Sequence, residues 1–331
     1  MGKNIFDPYR IDRLLAKSWP EPDNLPGAIE IFERELAAFT GREYCRLTAG
    51  GGAALKIALK ALKPACVALT DVTHPSLLEA VKYAEAEPVF LDINIKTLNI
   101  SEEALMRAAG SFDTLLNVHM FGNPSLPDPV KRFPKKHLPS VVEDASQILG
   151  RDHKGKKYGS FGRIGIFSLS PYKPLSAPWA KAGAITWDDP ALTKKIRGGL
   201  ERFTRPDGRT ASYLSLKLRN LPAVFSDLKK INGLYRRGLS GIGELTIPPV
   251  SETAQEFPIL TKRREELKRR LLKLKIPLER IYTPLHGKGR DAEFPGASRY
   301  LREALHLPVY PAMTESECAY IINAIKDFFT N

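Results

Sequence analysis

The chain predicts an α/β fold with a mostly parallel central sheet flanked by helices, followed by a smaller α+β unit. Three observations lead there. From Glu43 to Trp187, short apolar runs alternate with helical patterns, the sequence form of strands joined by crossover helices. Beyond residue 210 the order changes to a long helical pattern, two short strands and further helices. At 331 residues the chain exceeds the size at which a single core usually stops growing. The expected division is a large domain over 1–210, then a linker helix and small C-terminal domain over 211–331.

In chain order, the apolar runs place strands at Tyr44–Leu47, Cys66–Leu69, Pro88–Leu91, Thr114–Val118, Ser140–Val142, Gly165–Leu169 and Gly183–Trp187. Helices are expected at Ala53–Leu62, Pro75–Ala84 and Ser101–Ala109. The last begins with Ser101 as N-cap and with Glu102 and Glu103 in its first turn, where acidic side chains favour the helix dipole. A long helical pattern over Tyr213–Leu239 is interrupted by Pro222 and links the two domains. Leu245–Ile247 and Phe257–Leu260 read as strands, Arg264–Leu274 and Ser316–Phe329 as helices. Thr314 and Glu317 have capping-box spacing at the start of the last one.

Composition narrows the class. Hydrophobic residues make up 43% and charged residues 26%, as in a soluble globular protein. No apolar run approaches the roughly 20 residues of a membrane helix. The segment Met1-Gly2-Lys3-Asn4-Ile5-Phe6-Asp7 has no apolar signal core, and Phe6 stands where a myristoylation signal needs Ser or Thr, so a cytoplasmic protein is expected. Cys45, Cys66 and Cys318 are scattered, which suggests neither disulfides nor a metal site. The net charge of +13 favours acidic partners. The stretch from Lys262 to Arg270 reads either as the exposed face of a helix anchored by Leu267, Leu271, Leu272 and Leu274 or as a nucleic-acid patch. No nucleic-acid-reading motif accompanies it, so the acidic partners that the charge still allows are an anionic membrane surface and a phosphorylated metabolite.

Three segments could carry chemistry. In Thr48-Ala49-Gly50-Gly51-Gly52-Ala53-Ala54-Leu55 a strand ends, three glycines follow and a helix begins. Such a turn is either tight packing or a phosphate cradle of backbone N–H groups at a helix N-terminus. In Val141-Val142-Glu143-Asp144-Ala145-Ser146-Gln147 an apolar strand meets two carboxylates, and Asp144 is either a helix cap or a group reaching a ligand at the sheet end. In Phe167-Ser168-Leu169-Ser170-Pro171-Tyr172-Lys173-Pro174 a strand runs into a constrained turn presenting one lysine. Taken in order, they supply what pyridoxal 5'-phosphate (PLP) needs: donors and a hydroxyl for its phosphate, an anion for its ring nitrogen and an amine for its aldehyde.

On these residues the chain resembles the DegT/DnrJ/EryC1/StrS family of fold type I PLP enzymes, mostly nucleotide-sugar aminotransferases. The likeness runs from Phe32-Glu33 to Leu307-Pro308 and the closing helix. Gly51-Gly52-Ala53-Ala54-Leu55 stands where the family has Gly-Thr-Ala-Ala-Leu, and His74 of Val72-Thr73-His74-Pro75 where it has an aromatic stacked on the pyridine ring. Val118-His119-Met120-Phe121-Gly122-Asn123 resembles the family's Val-His-Leu-Tyr-Gly-Gln. Glu143-Asp144-Ala145-Ser146-Gln147 resembles Glu-Asp-Ala-Ala-Gln, which implies that Asp144 pairs with the ring nitrogen and that Gln147 lies near the ring hydroxyl. Ser168 matches the phosphate-binding serine, Lys173 the lysine that carries PLP as an aldimine, and Tyr282-Thr283-Pro284-Leu285-His286 a recurrent stretch of the small domain.

The resemblance also implies a homodimer in which a residue of the partner subunit reaches the phosphate, here Ser215 in place of asparagine, followed by Lys217 in place of arginine. The acidic, glycine-rich turn after the lysine becomes Ala180-Lys181-Ala182-Gly183. The implied reaction moves an amino group from an amino acid, glutamate being the expected donor, to a keto sugar carried on a nucleotide. Two alternatives stand beside it. One is a PLP-dependent sugar dehydratase, a branch that replaces the lysine with histidine; the other is a family member that binds PLP or a nucleotide sugar without turnover.

Overall fold

The computed structural model describes residues 6, 26–125, 138–171, 173–278, 282–287 and 289–330. Apart from Phe6, the N-terminal segment searched for targeting signals lies outside these, as does Tyr172 of the lysine turn.

The main sheet is built from β1 (Tyr44–Thr48), β2 (Cys66–Thr70), β3 (Glu87–Leu91), β4 (Thr114–Val118), β5 (Ser140–Asp144), β8 (Ile164–Ser168) and β9 (Gly183–Trp187). Its order is β1-β9-β8-β5-β4-β2-β3. The neighbours from β8 to β3 are parallel. β9 runs antiparallel to both β8 and β1, so β1 points the same way as the parallel set. A small hairpin, β6 (Asp152–His153) and β7 (Lys156–Lys157), projects between β5 and β8.

Both faces of the sheet are covered, so β4 and β9 are buried along their whole length. Helix α1 (Ala28–Thr40) packs on β1, and α2 (Gly51–Leu62) lies on β8 and β9 beneath α3 (Ser76–Tyr83) and α5 (Pro190–Leu200). Helix α4 (Glu102–Arg107) starts as expected, with the Ser101 hydroxyl accepting from Ala104 N–H at 3.3 Å. The glycines of α2 belong to the helix, which begins two residues earlier than its apolar pattern indicates.

The long helical pattern is two helices, α6 (Gly208–Arg219) and α7 (Leu221–Leu239). The break falls at Asn220, and Pro222 sits in the first turn of α7, where no backbone donor is needed. Helix α6 packs against α1, so it belongs to the body of the large sheet. Leu245–Ile247 is not a strand; it makes one isolated bridge, Thr246 to Leu260.

The second layer is an antiparallel pair, β10 (Glu256–Leu260) and β11 (Ala304–Pro308), with α8 (Arg264–Lys273), α9 (Pro295–Glu303) and α10 (Glu315–Thr330) around it. Helix α8 buries Leu267 and Leu271 and leaves Leu272 exposed, consistent with a solvated basic face. The capping box forms at α10: Thr314 N–H donates to Glu317 Oε2 at 2.6 Å and Glu317 N–H to Thr314 Oγ1 at 3.2 Å. One apolar cluster runs from Leu55 and Leu69 through Tyr235 to Phe257 and Ile325, joining the two layers. Each aliphatic side chain buried there contributes about 1.5–3 kcal/mol. No helix among the described residues is long and apolar enough to cross a membrane.

Candidate active site

The parallel strands all end on one edge of the sheet. There the register sets Val118 beside Asp144, and Gly183 between Thr48 and Ser168. This edge is where open α/β sheets bind ligands. A cleft of about 530 Å³ opens along it, and Gly51, Gly52, His74, Asp144, Gln147, Ser168 and Lys173 all face into it. Residues distributed over 51–173 thus meet in one place because each follows or ends a strand.

The glycine turn forms one end of the cleft. Gly50 caps α2 without any side-chain hydrogen bond, so the first N–H groups of the helix are left to a ligand. The positive end of the helix dipole favours an anion there. Thr48 Oγ1 ties the turn by donating to Gly50 O at 3.0 Å. Ser168 lies against Gly51, and its own N–H donates to Ser146 Oγ at 2.8 Å.

The two carboxylates at the end of β5 part ways because successive strand residues point to opposite faces. Glu143 turns inward and accepts from the N–H groups of Gly159, Phe161 and Gly162 at 2.6, 2.7 and 2.8 Å. It also pairs with buried His119 at 3.0 Å. Burial pushes its carboxyl up, but these bonds outweigh burial and hold it below the usual range. Asp144 faces the cleft, where its Oδ1 accepts from Ser146 N–H at 3.0 Å. It ends a strand and heads an Asx turn, so it is not a helix cap.

Lys173 stands in the connection between β8 and β9. Its turn is closed by Lys173 N–H donating to Ser170 O at 3.2 Å and by Ser176 Oγ donating to Lys173 O at 2.8 Å. Lys217 of α6 is buried at 1% exposure and donates to the same Ser176 hydroxyl at 3.2 Å. Ser215 does not line the cleft of its own chain: it lies in α6, and its buried hydroxyl makes no hydrogen bond among the described residues.

His74 Nδ1 lies 2.8 Å from Ser76 Oγ, and its ring meets Tyr282 edge-on at 6.4 Å. Tyr282 closes the far wall and accepts from Gln147 Nε2 at 3.2 Å. Lys56, Thr73, Ser76, Ser146 and Lys181 also line the cleft, although sequence reasoning gave them no role. A signal existed for Lys56, which is one helical turn beyond Gly52 on α2. Tyr282 comes from so far along the chain that only the fold brings it here.

The sequence matches the DegT/DnrJ/EryC1/StrS aminotransferase family over residues 26–206 and 204–326. Among similar proteins, a Geobacillus stearothermophilus chain named pleiotropic regulatory protein is 27% identical, covering 91% of this chain and 89% of its own. The UDP-N-acetyl-3-dehydro-alpha-D-glucosamine 3-aminotransferase of Acidithiobacillus ferrooxidans is also 27% identical, over 89% of this chain and 86% of its own. The structure of Streptomyces venezuelae DesV with a ketimine intermediate has the same fold, with a TM-score of 0.83 at 24% identity over 97% of this chain and 93% of that one. So does Bacillus subtilis NtdA with bound cofactor PMP, at TM-score 0.81 and 21% identity over 97% and 80%.

Proposed function

The chain belongs to the DegT/DnrJ/EryC1/StrS aminotransferase family, whose members use PLP, and from this premise we propose that it transfers an amino group from glutamate to a keto sugar carried on a nucleotide. The observation that carries the reading is that the Lys173 amine, one strand-end carboxylate and one uncapped helix N-terminus face a single cleft. These groups fit PLP by their chemistry: Lys173 offers the amine, Asp144 the anion, and Gly51, Gly52 and Ser168 the donors for a phosphate. His74 and Gln147 complete the proposed cofactor-binding set.

When bound, PLP supplies an aldehyde and a ring that takes up electrons from a broken C–H bond. Asp144 would hold a proton on the ring nitrogen, because a nearby carboxylate favours the protonated form. Lys173 Nζ would take the proton from the donor carbon and return it to the carbon on the other side of the transferred nitrogen. The first N–H groups of α2 would bind and orient the phosphate. The wall formed by His74 and Tyr282 would exclude water from one side.

Support for the substrate class comes from the relatives' names, which include enzymes of UDP-, dTDP- and GDP-linked sugars. The net charge of +13 would draw such anions to the surface. A cytoplasmic homodimer is part of the same proposal: for Ser215 of the partner subunit to reach a cofactor, a second copy must pack against α6. A second reading, binding without turnover, is favoured by the regulatory name of one relative.

One experiment separates the two: the visible spectrum of the protein with added PLP, before and after glutamate, beside Lys173→Ala. A yellow band that glutamate bleaches, and that K173A never develops, supports transfer. A band that no amino donor changes supports binding alone, and absence of any band in the native chain removes the PLP reading.

A further inference from the structure

Behind the Gln147 wall lies a continuous run of hydrogen bonds that the proposed chemistry does not use. Phe121 N–H donates to Gln147 Oε1 at 2.6 Å, Gln147 Nε2 donates to Tyr282 OH at 3.2 Å, and Tyr282 OH donates to Glu256 Oε1 at 3.2 Å. Glu256 Oε2 lies 2.8 Å from His306 Nδ1, and His306 Nε2 lies 2.9 Å from the Tyr300 hydroxyl. The run crosses from the cleft edge of the large sheet into β10 and β11, and His306 at its far end is fully buried.

The direction of each bond follows from its ends. Phe121 N–H can only donate, so it must face the Gln147 amide oxygen, and the amide cannot flip. One Gln147 N–H then points at the Tyr282 oxygen. The single phenol proton must go the other way, to the Glu256 carboxylate, which can only accept. Gln147 lines the cleft, so its second N–H is the one available to a ligand there. Phe121 holds this arrangement in a left-handed conformation, φ 55° and ψ 30°, which is costly for an aromatic residue and is sustained only where neighbours enforce it.

We propose that Glu256, backed by His306, is a positioning residue for the cleft: it fixes the Tyr282 hydroxyl and thereby turns one Gln147 amide N–H toward the bound cofactor. The inference rests on the reading of the cleft as a PLP site. Glu256 acts also as a charge. Burial pushes its carboxyl up, but the His306 bond, the charge of Lys173 and the Tyr282 bond hold it below the usual range, so it is an anion at neutral pH. The groups facing it are His306 on β11, Tyr282, Tyr300 on α9 and Lys173 in the lysine turn, with Arg264 of α8 near Tyr300. Lys173 lies within the field of this negative charge.

The test uses Glu256→Gln, which keeps size but removes the charge and no longer dictates the phenol proton, and Tyr282→Phe, which removes only the bridge. The readouts are the PLP dissociation constant and the pH midpoint of the visible band. Each variant is expected to raise the dissociation constant about tenfold, the effect of about one hydrogen bond. The double variant should add nothing further, and E256Q alone should lower the midpoint, by about one unit. If both single variants bind PLP with the native constant, or if their effects add, Glu256 does not act through Tyr282 and the inference is wrong. If E256Q does not fold, native binding by Y282F overturns the inference by itself. A native chain that shows no band instead removes the proposed function.

Discussion

Gly183 passes so close to Gly50 that a Cβ on it would lie 2.3 Å from the Gly50 carbonyl carbon and 2.5 Å from the Gly51 nitrogen. Neither backbone can yield cheaply, because β9 is paired on both sides and the turn is tied by Thr48. Of the altered turn after the lysine, this glycine is the one position that the cradle requires. Gly183→Ala should therefore lower stability by about 2 kcal/mol through overpacking and weaken PLP binding at least tenfold. Thermal melts with and without PLP check both effects.

Asp144→Asn separates charge from shape. An amide oxygen can still accept from Ser146 N–H, so the turn is preserved and the melting temperature should stay close to that of the native chain. What is lost is the negative charge in the cleft that is proposed to pair with the ring nitrogen. Turnover should fall by about 10²–10³, the usual effect of removing one electrostatic contact to the reacting group. Single-turnover kinetics with glutamate measure it; a fall under threefold would place Asp144 outside the chemistry.

Glu143 gives stability a defined acid limit. Its folded pKa lies below the usual value of 4.5, so the unfolded chain binds the proton more readily. The carboxylate thus contributes stability fully above pH 4.5, and the contribution is lost as the pH falls from there through the folded value. Glu143→Gln should cost about 3 kcal/mol near neutral pH, since an amide cannot accept from three backbone N–H groups and His119 at once. It should also flatten the acid branch of a urea-denaturation series run from pH 7 to 3.

How much of this was legible depends on where each residue's partners lie. Thr114–Val118 and Gly183–Trp187 agree with the sequence expectation residue for residue, because strands buried on both faces show as uncharged, mostly apolar runs. Ser140–Val142 ends two residues early, since Glu143 and Asp144 look like surface. The partners of Glu143, at 159–162, lie too far along the chain for any local pattern to code them. Helix α1 carries a readable stripe in Phe32, Leu36 and Ala37, whereas α5 hides its pattern behind Gly198 and Gly199. The same logic governs the cleft. Lys173, Asp144 and the glycine turn are readable because each follows a recognisable strand, while Glu256, Tyr282 and His306 join only through the packing of the second layer.

Ser176 joins the lysine turn to the interior, and this gives the last prediction. Its hydroxyl donates to Lys173 O and accepts from the buried Lys217 ammonium. Ser176→Ala would remove one bond from the turn and one acceptor from a cation at 1% exposure. Losing these two hydrogen bonds costs about 1–3 kcal/mol, so the melting temperature should drop. If the bond matters only for packing, KM and turnover will follow the native chain at temperatures well below the melt. If it holds the amine in place, turnover will fall while PLP still binds, and adding the volume-conserving Lys217→Met should restore stability without restoring turnover.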